Sequence, residues 1–122
     1  MKTIDELLAL DADDPALRRG IAELLGWKDF IFVGGVLFSL TPGTPLGQVR
    51  TEVPDWPHSV DAALELVPDG WDIAMDRLDG EKTWGVFIVD AVEVEDPYYV
   101  KGTSEDSNLA LAICRAWLAS KR

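Results

Sequence analysis

Cysteine and histidine are nearly absent: Cys114 and His58 are the only ones in 122 residues. A lone cysteine excludes an internal disulfide and a cysteine zinc site, and it fits a reducing cytosol. With one histidine and one cysteine, no transition-metal site can be assembled from familiar ligand spacings. Basic residues are also scarce, 11 against 22 acidic ones, for a net charge of −11. That balance excludes nonspecific nucleic-acid binding and docking on anionic membranes, because phosphate attraction needs a basic surface. It leaves room for a small pocket that is locally basic. No apolar run approaches the ~20 residues needed to span a bilayer. The stretch Met1-Lys2-Thr3-Ile4-Asp5-Glu6 turns acidic at once, unlike a signal peptide. Phosphate-binding glycine loops, Gly-x-Ser-x-Gly and paired-carboxylate motifs are missing, as are repeats and low-complexity tracts. The expectation is a protein with no catalytic constellation, no metal and no cofactor.

What is present is core-forming sequence. The apolar fraction is 48%, with five tryptophans and four phenylalanines. One domain spanning 1–122 is expected, able to bury roughly two-thirds of its unfolded surface.

The richest segment lies near the C-terminal end, from Asn108 to Ala119. At ~100° per residue Leu109, Ile113, Ala116, Trp117 and Ser120 share one side, and Ala110, Leu111, Cys114 and Leu118 widen the apolar arc. A helix this apolar is buried, with Trp117 as core. Only Asn108 and Arg115 interrupt the arc, so Arg115 must snorkel to water, meet a carboxylate or meet a ligand.

Ile4, Leu7 and Leu8 predict a short first helix. Asp14 as N-cap and Pro15 at the first position predict a second, running to about Leu25 and stopped by Gly26. Gly20 within it costs roughly 1 kcal/mol against alanine. Residues 30–33 and 36–40 read as strands split by Gly34-Gly35, a bent strand or a hairpin. Residues 41–47 are loop, and Val53 to Pro57 is extended because residues before proline avoid the helical region. Ser59 starts a third helix with Val60, Ala63, Leu64 and Val67 on one face, ended by Pro68-Asp69-Gly70. Residues 71–78 and 83–94 read as strands joined by an Asp79-Gly80 turn, and Tyr98 to Lys101 as an added edge strand. The polar run 103–107 then supplies caps for the last helix. This order predicts an α+β fold, an antiparallel β-sheet covered by helices.

Among reactive side chains, Cys114 reads as a small buried hydrophobe and His58 as a loop residue beside a helix start. Asp11, Asp13 and Asp14 lack the glycine and distal glutamate of a calcium loop and read as capping residues. Glu93, Glu95 and Asp96 read as a solvated strand face entering a turn. Two constellations remain. In 54–61, Ser59 can cap a helix and Asp61 favours its positive end, with Trp56 nearby. In 107–115, Asn108 can cap the last helix, and Arg115 can pair with Asp61 or another acid. If the two helices lie side by side, Trp56, Ser59, Asp61, Asn108 and Arg115 can line one ligand-binding cleft.

The stretches 21–27 (Ile-Ala-Glu-Leu-Leu-Gly-Trp), 53–63 (Val-Pro-Asp-Trp-Pro-His-Ser-Val-Asp-Ala-Ala) and 109–118 (Leu-Ala-Leu-Ala-Ile-Cys-Arg-Ala-Trp-Leu) resemble, in the same order, the phage ABA-sandwich domain family. These are small bacteriophage and prophage proteins. The family often has tyrosine-serine-threonine-aspartate in the second motif. Here Ser59 and Asp61 match it, while the aromatic and the threonine are lost. The resemblance implies an α/β/α sandwich and a phage origin, but no settled reaction.

Two functions compete on these grounds. The first is a phage-encoded, non-catalytic binding protein of the host cytoplasm, sequestering a nucleotide-type defence signal. Trp56 would stack a base, while Arg115 and helix N-termini would hold a phosphate. The second is an acidic protein-interaction module that inhibits a host enzyme, or an accessory structural phage protein. A signal-degrading hydrolase has least support, for want of a base, a nucleophile or a metal. Open sheet edges and a tryptophan-bearing helix also make a homo-oligomer an expectation.

Overall fold

The computed structural model describes residues 2–43, 49–78, 83–90 and 100–121, the side chains of 78, 90 and 100–105 excepted. Helix α1 spans Ile4–Leu8 and is closed by a capping box, Thr3 accepting from the Glu6 amide while Glu6 accepts from the Thr3 amide. Helix α2 covers Pro15–Leu24 with Asp14 as N-cap. Helix α3 is short, Val60–Leu64, capped by Ser59, and α4 runs Leu109–Ala119, capped by Asn108. The starts of α2, α3 and α4 follow the capping signals of the sequence, since short polar side chains accept from amides that no helix turn can satisfy.

Strands β1 (Lys28–Val33), β2 (Val36–Leu40) and β3 (Thr51–Glu52) form one antiparallel sheet in that order. Gly34 and Gly35 both have positive φ, 58° and 81°, so the β1–β2 connection is the tight two-residue turn that suits strand twist. The split at Gly34-Gly35 is therefore a hairpin. Strands β4 (Trp71–Leu78), β5 (Thr83–Asp90) and β6 (Val100–Asp106) form a second antiparallel sheet in chain order. The molecule is thus α+β, with antiparallel sheets and helices.

Local differences from the sequence reading have physical causes. Residues 103–106 are expected as a polar capping segment, but they pair with β5 and belong to β6. Asp106 keeps a capping role, its carboxylate accepting from the Asn108 amide at 2.8 Å. Backbone pairing here outweighs a composition poor in strand formers. Strand β3 is too short to show a period, and the Val53 amide extends its pairing by donating to the Leu37 carbonyl at 2.9 Å. The Asp79-Gly80 turn, the continuation to Val94 and the start of the expected edge strand at Tyr98 lie outside the described residues.

Helix α4 lies at the centre of the core. Ala110, Leu111, Ala112, Ile113, Cys114, Ala116, Trp117 and Leu118 are all buried, with Trp117 at 2% exposure. The helix packs on β5 and β6, on α3 and on α1. Leu7, Leu17, Ile21, Leu37, Val53, Val86 and Ile88 complete the interior. Among the described residues no helix is long and apolar enough to cross a membrane.

Candidate functional site

The two segments expected to form a cleft do meet. Helix α3 packs against α4, and the Asn108 side-chain amide donates to the Pro57 carbonyl at 3.1 Å. Asn108 also caps α4, its side-chain oxygen accepting from the Leu111 amide at 3.2 Å. Ser59 caps α3 by accepting from the Ala62 amide at 3.2 Å, and Asp61 is exposed in that helix's first turn. Trp56 is 3% exposed, with its ring set edge-on against Trp27 at a centroid distance of 6.3 Å. Its faces are core surface and are not offered to a base.

Arg115 pairs with neither Ser59 nor Asp61. One terminal nitrogen donates to the Asp106 carboxylate at 2.7 Å and the other to the Leu10 carbonyl at 2.9 Å. Of the two open outcomes, another acid has claimed the guanidinium, and that acid is Asp106. Its buried Nε has no hydrogen-bond partner. Arg115 thereby ties α4 to the end of β6 and to the loop after α1. Cys114, beside it, is buried, and desolvation pushes its thiol up to about 12, far from the thiolate a nucleophile needs.

A different cleft opens where the start of α2 faces the β1–β2 hairpin and the loop before α3. Ala12, Asp13, Asp14, Pro15, Arg18, Phe32, Gly35, Leu37, Asp55 and His58 line about 140 Å³. His58 bridges its rim, with Nδ1 2.8 Å from Asp55 and Nε2 2.6 Å from Asp13. Carboxylates only accept, so this geometry holds both ring nitrogens protonated. The hydrogen bonds that His58 donates, to Asp55 first and to Asp13 second, raise its pKa above the ordinary 6.5. Arg18, in the lining, is engaged: it donates to the Val53 carbonyl, to the Pro54 carbonyl at 3.1 Å, and lies 3.6 Å from Glu52. Phe32 is 52% exposed. A cavity on the order of 150 Å³ takes a single benzene-sized group, whereas drug-sized ligands occupy roughly 300–1,000 Å³. This cleft therefore suits one side chain and is too small for a nucleotide. A shallower depression of about 330 Å³ runs along Lys2, Ala16, Arg19, Gly20 and Glu23, where Arg19 and Glu23 are paired with each other at 3.2 Å.

Among the described residues no three histidine, cysteine or acidic side chains converge as metal ligands. Asp13 and Asp14 are visible in the sequence as caps, but their meeting with Asp55 and His58 joins positions up to 45 residues apart. Phe32 gives no signal at all, because an apolar strand residue is expected to be buried. No protein-family model, curated protein or solved structure matches the chain.

Proposed function

We propose that the chain is a non-catalytic, acidic protein-interaction module that docks through its β1–β2 hairpin onto a protein with a basic surface. The observation that carries this reading is a run of three adjacent large apolar side chains left in solvent: Ile31 at 40%, Phe32 at 52% and Val33 at 57% exposure. They lie on a strand that no described strand covers on its outer side. Exposed apolar surface at a free sheet edge is costly in water and hazardous in a crowded cell, and it is commonly retained where a partner covers it. The net charge of −11 supplies long-range attraction to a basic partner. Sequestration of a nucleotide-type signal has less support, because Arg115 is engaged internally and the Trp56 ring is buried. With the family resemblance, the proposal extends to a phage origin, an α/β/α sandwich arrangement of the sheets and helices, and action on a host enzyme in the host cytoplasm.

The test uses the full chain and a Phe32→Asp variant as baits in host lysate, followed by purification of any captured protein. The purified partner should bind the wild type in a salt-sensitive way and the variant about tenfold or more weakly, since buried aromatic anchors dominate such contacts. Equal binding by the variant, or capture of nothing, overturns the reading.

A further inference from the structure

The geometry points to the cleft beside Phe32 as a specificity pocket for one lysine or arginine side chain, carried by an extended partner segment that pairs with the free edge of β1. This rests on the docking reading above and adds the chemistry of what docks.

The backbone is set for it. Phe32 lies opposite Leu37 in the hairpin register, and the Leu37 carbonyl is taken on its far side by the Val53 amide. Phe32 and Leu37 are therefore a pair without mutual backbone hydrogen bonds, so the N–H and C=O of Phe32 face outward. Among the described residues no strand takes them. An added strand would meet these groups, with alternate side chains directed to opposite faces of the sheet.

On one of those faces lies the cleft. Phe32 and Leu37 form its apolar wall and Asp13, Asp14 and Asp55 its acidic part. A lysine or arginine matches both, with a methylene stem against the wall and a charge at the carboxylates. The half-exposed Phe32 ring adds a face over which a cation is attracted. The two cationic groups of the lining compete little. Arg18 is committed to the Val53 and Pro54 carbonyls, and His58 engages one oxygen each of Asp13 and Asp55. Among the described residues the second oxygen of each carboxylate has no partner. The 140 Å³ volume admits one side chain. The charge of −11 also decides between occupants: it draws in a basic segment and opposes edge-to-edge pairing with a second copy.

The experiment uses fluorescent peptides of roughly nine residues, alternating valine and threonine with lysines at both ends, and with arginine, norleucine or glutamate at the centre. Anisotropy titrations against the full-length wild type should show the arginine peptide binding about tenfold tighter than the norleucine one, and the glutamate peptide weakest. Asp13→Asn should shrink the arginine preference to about threefold or less. Asp13→Lys, an internal competitor at an exposed position, should abolish that preference. Phe32→Asp should weaken all three peptides together. Equal binding of arginine and norleucine peptides by the wild type overturns the pocket while leaving edge docking intact. Failure of every peptide to bind overturns the proposal as well. The docking reading is then judged separately, on the purified partner and the Phe32→Asp variant.

Discussion

At the scale of single residues, charge placement does most of the deciding. Arg115 has both terminal nitrogens engaged, one on Asp106 and one on the Leu10 carbonyl, with the arginine and aspartate side chains only 20% and 22% exposed. Removing it leaves a half-buried carboxylate and a carbonyl without their donor. Arg115→Ala should therefore lower unfolding free energy by about 1–3 kcal/mol, read from the urea midpoint. An unchanged midpoint would mean that water replaces the guanidinium at no cost. His58 makes a pH-dependent clip between Asp13 and Asp55. Its pKa is raised in the folded state, so the folded protein holds the proton more tightly than the unfolded chain does. The contribution is fully present below the unfolded value near 6.5 and is lost as pH rises through the folded value. The stability difference between wild type and His58→Gln should accordingly shrink as pH rises from about 6 through the raised folded value. A difference that is flat across that range would show that the clip adds nothing.

At the scale of elements, packing settles what propensity leaves open. Gly20 lies inside α2, where alanine would normally stabilise by roughly 1 kcal/mol. A Cβ there would run into the end of the Leu7 side chain, with its second methyl only 2.9 Å away. Leu7 is 1% exposed and cannot swing clear without disturbing the core. Gly20→Ala should thus destabilise by about 1–3 kcal/mol, the usual cost of overpacking. A higher melting temperature would show that Leu7 repacks freely. The same residue explains how α1, only five residues long, holds its place: the Thr3–Glu6 capping box fixes its start and Leu7 anchors it over Gly20. At Asp29 the chain turns through φ 57° beside a register shift in β1, and the Arg50 guanidinium donates to its carbonyl at 2.6 Å. Asparagine and aspartate tolerate this conformation better than other side chains with a Cβ.

At the scale of the whole molecule, a charge of −11 on 122 residues opposes compaction. The Debye length is about 10 Å at roughly 0.1 M salt, so ordinary salt screens much of that repulsion. Raising sodium chloride from about 0.02 M to about 0.2 M should increase the melting temperature. A fall would mean that attractive pairs such as Arg115–Asp106 outweigh the net repulsion. Salt should act in the opposite direction on docking to a basic partner, which it weakens. In the proposed docking the exposed hairpin and the acidic surface act together: charge would oppose pairing between copies and attract a basic partner, which the apolar strand would then hold.

The helix starts were legible because capping is local: Asp14, Ser59 and Asn108 each satisfy an amide within three residues. The burial of α4 was legible because an apolar arc broken only by Asn108 and Arg115 has nowhere else to go. Gly34-Gly35 marked a break in the strand, and the positive φ of both residues decided the hairpin over a bent strand. The partner of Arg115 was not legible, since Asp61 and Asp106 are equally charged on paper and only the course of β6 brings Asp106 within 2.7 Å. Nor was the exposure of Phe32, because the residue carries no sign of whether a further strand will cover it. Local sequence thus determined where helices begin and which helix is core. Tertiary structure alone decided which charges meet and which apolar side chains stay in water, because both depend on segments that only folding brings together.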